Sequence, residues 1–167
     1  LDTGADFTHP DLVGRVVEKA DFTVDGGDAV DHNGHGTHTA STIAGTGAAA
    51  HGQRRGVAPD AQLVIGKVLD DNGFGDDSQI IRAVEWAAQR ADVVNMSLGG
   101  EYPDDGSDPL ALAVDAATRA HGALFVISAG NSGGGISAPG SATTALTVGA
   151  VDRDGALADF SSRGPLV

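Results

Sequence analysis

Leu124-Phe125-Val126-Ile127-Ser128-Ala129-Gly130-Asn131 is a short apolar run closed by small residues and an asparagine. A run of this length, with aromatic and β-branched members and Gly at its end, reads as a buried strand that hands its last residues to a loop. Just upstream, Asp108-Pro109 offers a capping carboxylate with Pro at the first helical position, and Gly122 supplies the stop, so a helix fills the interval. Val93 to Leu98 repeats the buried-strand pattern and ends in Ser97-Leu98-Gly99-Gly100. Before it, Asp76, Asp77 and Ser78 offer capping oxygens to a helix running to about Arg90, with Ile80, Val84, Ala87 and Ala88 on one face. Leu63 to Leu69 and Leu146 to Val151 read as further strands, Val16-Val17 and Phe22-Thr23-Val24 as extended, and His35 to about Ala44 as a helix with a small-residue packed face. Strands alternating with helices predict an α/β fold around a parallel sheet. Asp2, Ser97 to Gly100 and Ser128 to Asn131 then fall at strand carboxyl ends, the edge where such sheets bind ligands.

Bulk properties narrow the function classes. At 167 residues the chain is one domain or part of one, and 41% hydrophobic content argues against disorder. With 25 glycines and only 4% aromatics, the core is built from small aliphatics and many tight turns. A formal net charge of -13 argues against nucleic-acid or anionic-membrane partners. Without cysteine there is neither a disulfide framework nor a thiolate metal site. No apolar run approaches the ~20 residues of a membrane span.

Acyl transfer by a serine needs a base for the hydroxyl proton, a carboxylate to orient that base, and donors for the oxyanion. Asp2, in Leu1-Asp2-Thr3-Gly4 with His9-Pro10-Asp11-Leu12 following, is the carboxylate candidate. Taken alone, Asp-Thr-Gly reads as a turn. It also occurs in aspartic peptidases, but those need a second such carboxylate and the chain has no second Asp-Thr-Gly or Asp-Ser-Gly. His35, in Asn33-Gly34-His35-Gly36-Thr37-His38-Thr39-Ala40, is the base candidate, with glycines on both sides that permit close approach. Asn131 is the candidate oxyanion donor.

Together these segments resemble the active-site segments of the subtilisin-like serine peptidases, and Gly56-Val57-Ala58-Pro59 and Phe160-Ser161-Ser162-Arg163-Gly164-Pro165 resemble further signatures of that family. The resemblance runs along nearly the whole chain. It implies a three-layer fold with a mostly parallel sheet flanked by helices, and a serine endopeptidase using an Asp-His-Ser triad without a catalytic metal. It assigns Asp2 as the acid, His35 as the base with His38 structural, and Asn131 as the oxyanion donor. Ser97-Leu98-Gly99 resembles the strand that pairs with the substrate backbone, and Gly73-Phe74-Gly75 the opposing edge; an ordinary turn is the other reading of the latter. Ser128, Ala129 and Gly130 would border the primary pocket. The implied partner is a polypeptide substrate, and the implied address is extracellular or at the cell surface.

One family element is missing. The nucleophile segment, Gly-Thr-Ser, occurs nowhere in these 167 residues, and neither Ser161 nor Ser162 has the flanking Gly-Thr. The expectation is a partial catalytic domain over 1–167, truncated at both ends. Alone it would be inactive and poorly stable, with a propeptide or the missing C-terminal segment of the same domain as partner. A non-catalytic relative that binds peptide is the alternative.

Other motifs carry less. Gly130-Asn131-Ser132-Gly133-Gly134 matches the Gly-x-Ser-x-Gly nucleophile elbow, but that elbow opens a helix, and Gly133-Gly134-Gly135 followed by Pro139-Gly140 is poor helix material. The order Asp, His, Asn also fits the subtilisin order rather than the elbow's. His32, His35 and His38 are spaced by three, yet Gly34 and Gly36 weaken a continuous helix and no His-Glu-x-x-His is present. Asp11 matches a family calcium ligand by position. The companion loop, Gly47 to Arg55, holds no carboxylate or Asn and ends in two arginines, which disfavours a dication. Asp70-Asp71 and Asp76-Asp77 could bind a cation weakly, with a solvated face as the better default reading.

Overall fold

The computed structural model describes residues 1–24 and 27–165. They form two compact units, Leu1–Ala83 and Val84–Val167.

The first unit holds β1 (Val16–Asp21), α1 (His35–Ala44), a 3-10 turn (Ala48–Ala50) and β2 (Leu63–Lys67). β1 and β2 pair in parallel from Val16↔Leu63 to Asp21↔Lys67. On the other edge of β2, Asp2 forms a parallel bridge with Lys67: its N–H donates to the Gly66 carbonyl at 3.0 Å and its carbonyl accepts from Val68 at 2.8 Å. The Leu69 N–H reaches the same carbonyl at 3.2 Å, so the regular ladder ends at Lys67, short of the expected Leu69. Ala5, Leu12, Ala40, Ala44 and Leu63 form the core, and Phe7, Val16, Ile43, Ala61 and Ile65 pack on it. The two alanines, one helical turn apart, are the small-residue face of α1 and share the core with Leu63 of β2.

Extended structure does not reach Phe22-Thr23-Val24, contrary to the sequence expectation. The Asp21 carboxylate accepts from both the N–H (2.8 Å) and the hydroxyl (2.7 Å) of Thr23, an Asx turn that stops β1.

Helix α2 (Asp77–Ala88) runs across the unit boundary, and Ile80, Ala83, Val84, Ala87 and Ala88 form its buried stripe. Its entry uses Gln79, whose side chain accepts from the Asp76 N–H at 3.4 Å.

The second unit contains β3 (Val93–Met96), α3 (Pro109–His121), β4 (Leu124–Ser128) and β5 (Leu146–Val148), with the strands parallel in the order β3-β4-β5. The predicted ends of α3 are realised. Asp108 accepts from the Leu110 N–H at 2.8 Å, Pro109 opens the helix, and Gly122 closes it at φ +79°. Asp115, buried on α3, accepts from the Thr143 hydroxyl and from both the N–H (2.9 Å) and hydroxyl (2.8 Å) of Thr144, which anchors the approach to β5.

β3 and β5 are shorter than expected, and β3 is half-buried rather than buried. Val94 and Met96 face inward, while Val93 is exposed. Among the described residues no helix is long and apolar enough to cross a membrane.

Candidate active site

Pairing with β2 fixes the backbone of Asp2, and its side chain is buried. That carboxylate has three donors. The Thr3 N–H reaches Oδ1 at 2.7 Å, the Thr39 hydroxyl reaches Oδ2 at 3.2 Å, and the His35 Nδ1 lies 2.6 Å from Oδ1. A carboxylate only accepts, so the shared proton belongs to Nδ1, and in the neutral imidazole Nε2 on the far side of the ring then carries the lone pair. The His35 side chain is 47% exposed, against 8% for Asp2. A buried carboxylate thus holds one nitrogen of a half-exposed imidazole.

The start of α1 places His35. Gly34 precedes it at φ +100°, a conformation that suits glycine, and His35 is the first helical residue. Gly36 is held by its N–H to the Thr3 hydroxyl at 2.9 Å. A methyl group at Gly36 would collide with the Gly4 carbonyl oxygen. The segment after Asp2 and the first turn of α1 are therefore in backbone contact, which brings Asp2 and His35 together across 33 positions of sequence.

Asp31 also sits at this junction. It accepts from the Thr3 hydroxyl (2.9 Å), the N–H groups of Asn33 (3.0 Å), Gly34 (2.8 Å) and Thr37 (2.8 Å), and the Thr37 hydroxyl (2.6 Å). Burial works to raise its pKa, but the bonds from Thr37, Gly34 and Thr3 outweigh it and hold the carboxyl at about 2. Sequence reading missed it; an Asp shortly ahead of a helix start is the signal that could have found it.

Gly73-Phe74-Gly75 lies in a tight turn. The Asp70 N–H donates to the Phe74 carbonyl at 2.7 Å, and the Asp70 carboxylate accepts from the N–H groups of Asn72 and Phe74, both at 2.9 Å. Phe74 projects into solvent with 75% of its surface exposed. The turn is tied to the entry of α1, since the Asn33 amide donates to the Asp71 carbonyl at 3.1 Å.

In the second unit, Ser97-Leu98-Gly99 and Ser128-Ala129-Gly130 leave the carboxyl ends of adjacent strands β3 and β4. They are joined by the Ser128 hydroxyl, which donates to the Leu98 carbonyl at 3.1 Å. Asn131 follows Gly130 (φ +107°) and is exposed. Its loop is strapped from below. Ser162 N–H donates to the Gly130 carbonyl (2.9 Å), Gly133 N–H to Phe160 (2.7 Å), and Arg163 N–H to Gly134 (2.8 Å).

The sequence matches the Subtilase family over residues 1–167. The chain belongs to that family. It is 42% identical over 188 residues to the serine protease AprX of Bacillus subtilis (strain 168), spanning 100% of this chain and 42% of that protein. To the major intracellular serine protease of the same organism it is 41% identical over 174 residues, spanning 97% of this chain and 53% of that one. A crystal structure of a cold adapted subtilisin-like serine proteinase superposes with a TM-score of 0.81 at 34% identity, covering 98% of this chain and 57% of that one. Sphericase gives the same TM-score at 37% identity. The fold is therefore subtilisin-like, and the chain spans about half the length of the relatives it matches.

Other motifs of this subtilase chain behave as local structure. Ser132 opens no helix; its hydroxyl pairs with the Ser162 hydroxyl at 3.1 Å and accepts from the Gly134 N–H at 3.3 Å. Ser161 and Ser162 are buried, and the Ser161 hydroxyl accepts from the Ala150 N–H at 3.0 Å. Among the described residues no three or more His, Cys, Asp or Glu side chains converge as a metal site. The Asp11 carboxylate accepts from the Ala49 N–H at 2.8 Å, in the loop that ends in exposed Arg54 and Arg55. One Asp11 oxygen is thus committed to a backbone N–H, and the side chains of the neighbouring loop add positive charge.

Proposed function

We propose that the chain carries the acid and base of a serine endopeptidase, and that polypeptides are its substrates. The 2.6 Å contact between Asp2 and His35 Nδ1, with the ring half-exposed, supports this most directly. In this reading His35 Nε2 takes the proton of a serine hydroxyl as it attacks the scissile carbonyl, and Asp2 stabilises the imidazolium that forms. Asn131, with its exposed amide, is the donor to the developing oxyanion. Ser97, Leu98 and Gly99 would pair with the substrate backbone, Gly73, Phe74 and Gly75 would line the opposing edge, and Ser128, Ala129 and Gly130 would border the primary pocket. The nucleophile comes from a serine outside these 167 residues, because no Gly-Thr-Ser occurs within them. Asp11 is read as a capping acceptor for Ala49, and the arginines of the neighbouring loop make a structural calcium there doubtful. Extracellular action is proposed on the family resemblance alone. The relative named as intracellular supplies the opposite case, and fractionation of the producing cell decides between them.

A fluorophosphonate probe tests the reading. The polypeptide at its full natural length is expected to be labelled on a serine outside residues 1–167, and His35→Ala to abolish labelling. The 167 residues alone are expected to stay unlabelled, so stoichiometric labelling of them would overturn the assignment. A full-length protein that binds peptide but takes no label would be a non-catalytic binder.

A further inference from the structure

We propose that Asp31 is a positioning residue that sets the approach of His35 to Asp2. The inference deepens the acid–base reading above and rests on it. A capping carboxylate serves the N–H groups of its own helix. Asp31 does that for the entry to α1, with Oδ1 on Asn33 and Gly34 and Oδ2 on Thr37. It also does something a cap does not need. Oδ1 reaches back 28 residues to the hydroxyl of Thr3, the residue after Asp2, and that hydroxyl accepts in turn from Gly36, the residue after His35. Thr3 is 1% exposed and its own N–H holds Asp2 Oδ1. One carboxylate therefore ties the residue that follows the acid to the residues on both sides of the base.

The need for such a tie is visible in the local chain. His35 is flanked by glycines on both sides, its ring is half-exposed, and the N-cap residue ahead of it, Gly34, has no side chain to cap the helix. Asp2 holds the ring at Nδ1, and the position from which the ring reaches Asp2 follows the backbone at residues 34–37. Asp31 bonds that stretch at both ends, and the Thr37 hydroxyl it holds also accepts from the Asp6 N–H at 2.9 Å, adding a second tie to the Asp2 segment. Every partner of Asp31 is a donor, so only an acceptor-only group satisfies all five. Asn at this position would turn an amide N–H against Thr37 or against Thr3, Asn33 and Gly34.

The test uses the protein at its full natural length and reads two quantities: the downfield proton resonance of His35 Nδ1–H, and kcat separately from KM. Asp31→Asn is expected to broaden or lose that resonance and to lower kcat about 100-fold with KM within about twofold, the cost of a misplacement near 1 Å. If Asp31→Asn does not fold, Thr3→Val and Thr37→Val each remove one strand of the tie. Each is expected to lower kcat severalfold in a protein that still melts cooperatively. Unchanged resonance and kcat in a folded Asp31→Asn, or in both threonine variants, would overturn the proposal. Asp2→Ala separates the two levels. If it leaves the resonance intact, the acid–base reading itself fails; if it removes the resonance and Asp31→Asn does not, only the positioning role fails.

Discussion

Thr39 and Asp2 are joined through the oxygen that His35 leaves untouched. The Thr39 hydroxyl lies 3.2 Å from Oδ2, while His35, one turn earlier on the same face of α1, holds Oδ1. The hydroxyl also lies 3.0 Å from the Gly36 carbonyl, so one proton serves two acceptors and the bond to Asp2 is a partial one. Thr39→Val keeps the shape and removes the donor. It is expected to cost about 0.5–1.5 kcal/mol in chemical denaturation, and to lower kcat of the full-length protein by less than about tenfold. A loss as large as that of Asp2→Asn would mean that Thr39 does more than trim the carboxylate.

Asp2→Asn itself is expected to lower kcat about 10⁴-fold, because an amide can donate to Nδ1 and so hold the imidazole in the tautomer that lacks a free Nε2 lone pair. Circular dichroism and a thermal melt of the same variant should show a folded protein, since the β2 pairing of this residue uses only its backbone. Wild-type turnover in Asp2→Asn would remove Asp2 from the mechanism.

Gly36→Ala reverses a general rule. In a helix interior Gly to Ala is usually stabilising by roughly 1 kcal/mol. Here the added methyl meets the Gly4 carbonyl oxygen, backbone that cannot rotate away. The variant is expected to be destabilised and to separate His35 from Asp2, read as a lower melting temperature together with loss of the downfield Nδ1–H resonance. Stabilisation of the melt would show that the two segments are not packed as described.

Sequence alone reached the residues whose chemistry is local. The Asp108, Pro109 and Gly122 signals placed both ends of α3, and the His35 octet placed α1, because capping and glycine conformations act within a few residues. Strand ends were less legible. β2 stops where Val68 and Leu69 both turn to the Asp2 carbonyl, a partner more than sixty positions away. β1 stops at the Asp21–Thr23 turn, although Phe22-Thr23-Val24 is by propensity a good strand. Asp31 was passed over for the same reason as the end of β2: what distinguishes it from an ordinary cap is its bond to Thr3, which no spacing rule announces.

Asp115 and Arg119 form an ion pair at 3.1 Å one turn apart on α3, but the two partners are unequal. The Arg119 side chain is 64% exposed, so screening leaves its share below about 1 kcal/mol. The Asp115 carboxylate is buried, and burial opposes its charge, yet the bonds from Thr143 and Thr144 hold its pKa below the ordinary value. Arg119→Ala is therefore expected to be nearly silent in urea denaturation, and Asp115→Ala to cost about 2–3 kcal/mol by leaving donors of Thr143 and Thr144 unpaired. Equal costs would mean that the ion pair, not the threonine clamp, holds α3 to the approach of β5.

Asp31 also predicts an acid response with a definite sign. Its carboxyl titrates at about 2 in the folded chain, below the ordinary 3.8, so the folded state favours the charged form. The stability it supplies is present in full above the ordinary carboxylate value and is lost as pH falls through about 2. Solvent screening of this partly open group reduces the contribution to the order of 1–2 kcal/mol. Urea denaturation followed between about pH 5 and pH 2 should show wild type losing this increment and Asp31→Asn lacking it, so that the two curves converge toward low pH. A constant gap down to pH 2 would mean that the five donors stabilise the fold without preferring the charged carboxylate, and the electrostatic part of the argument for Asp31 would fall.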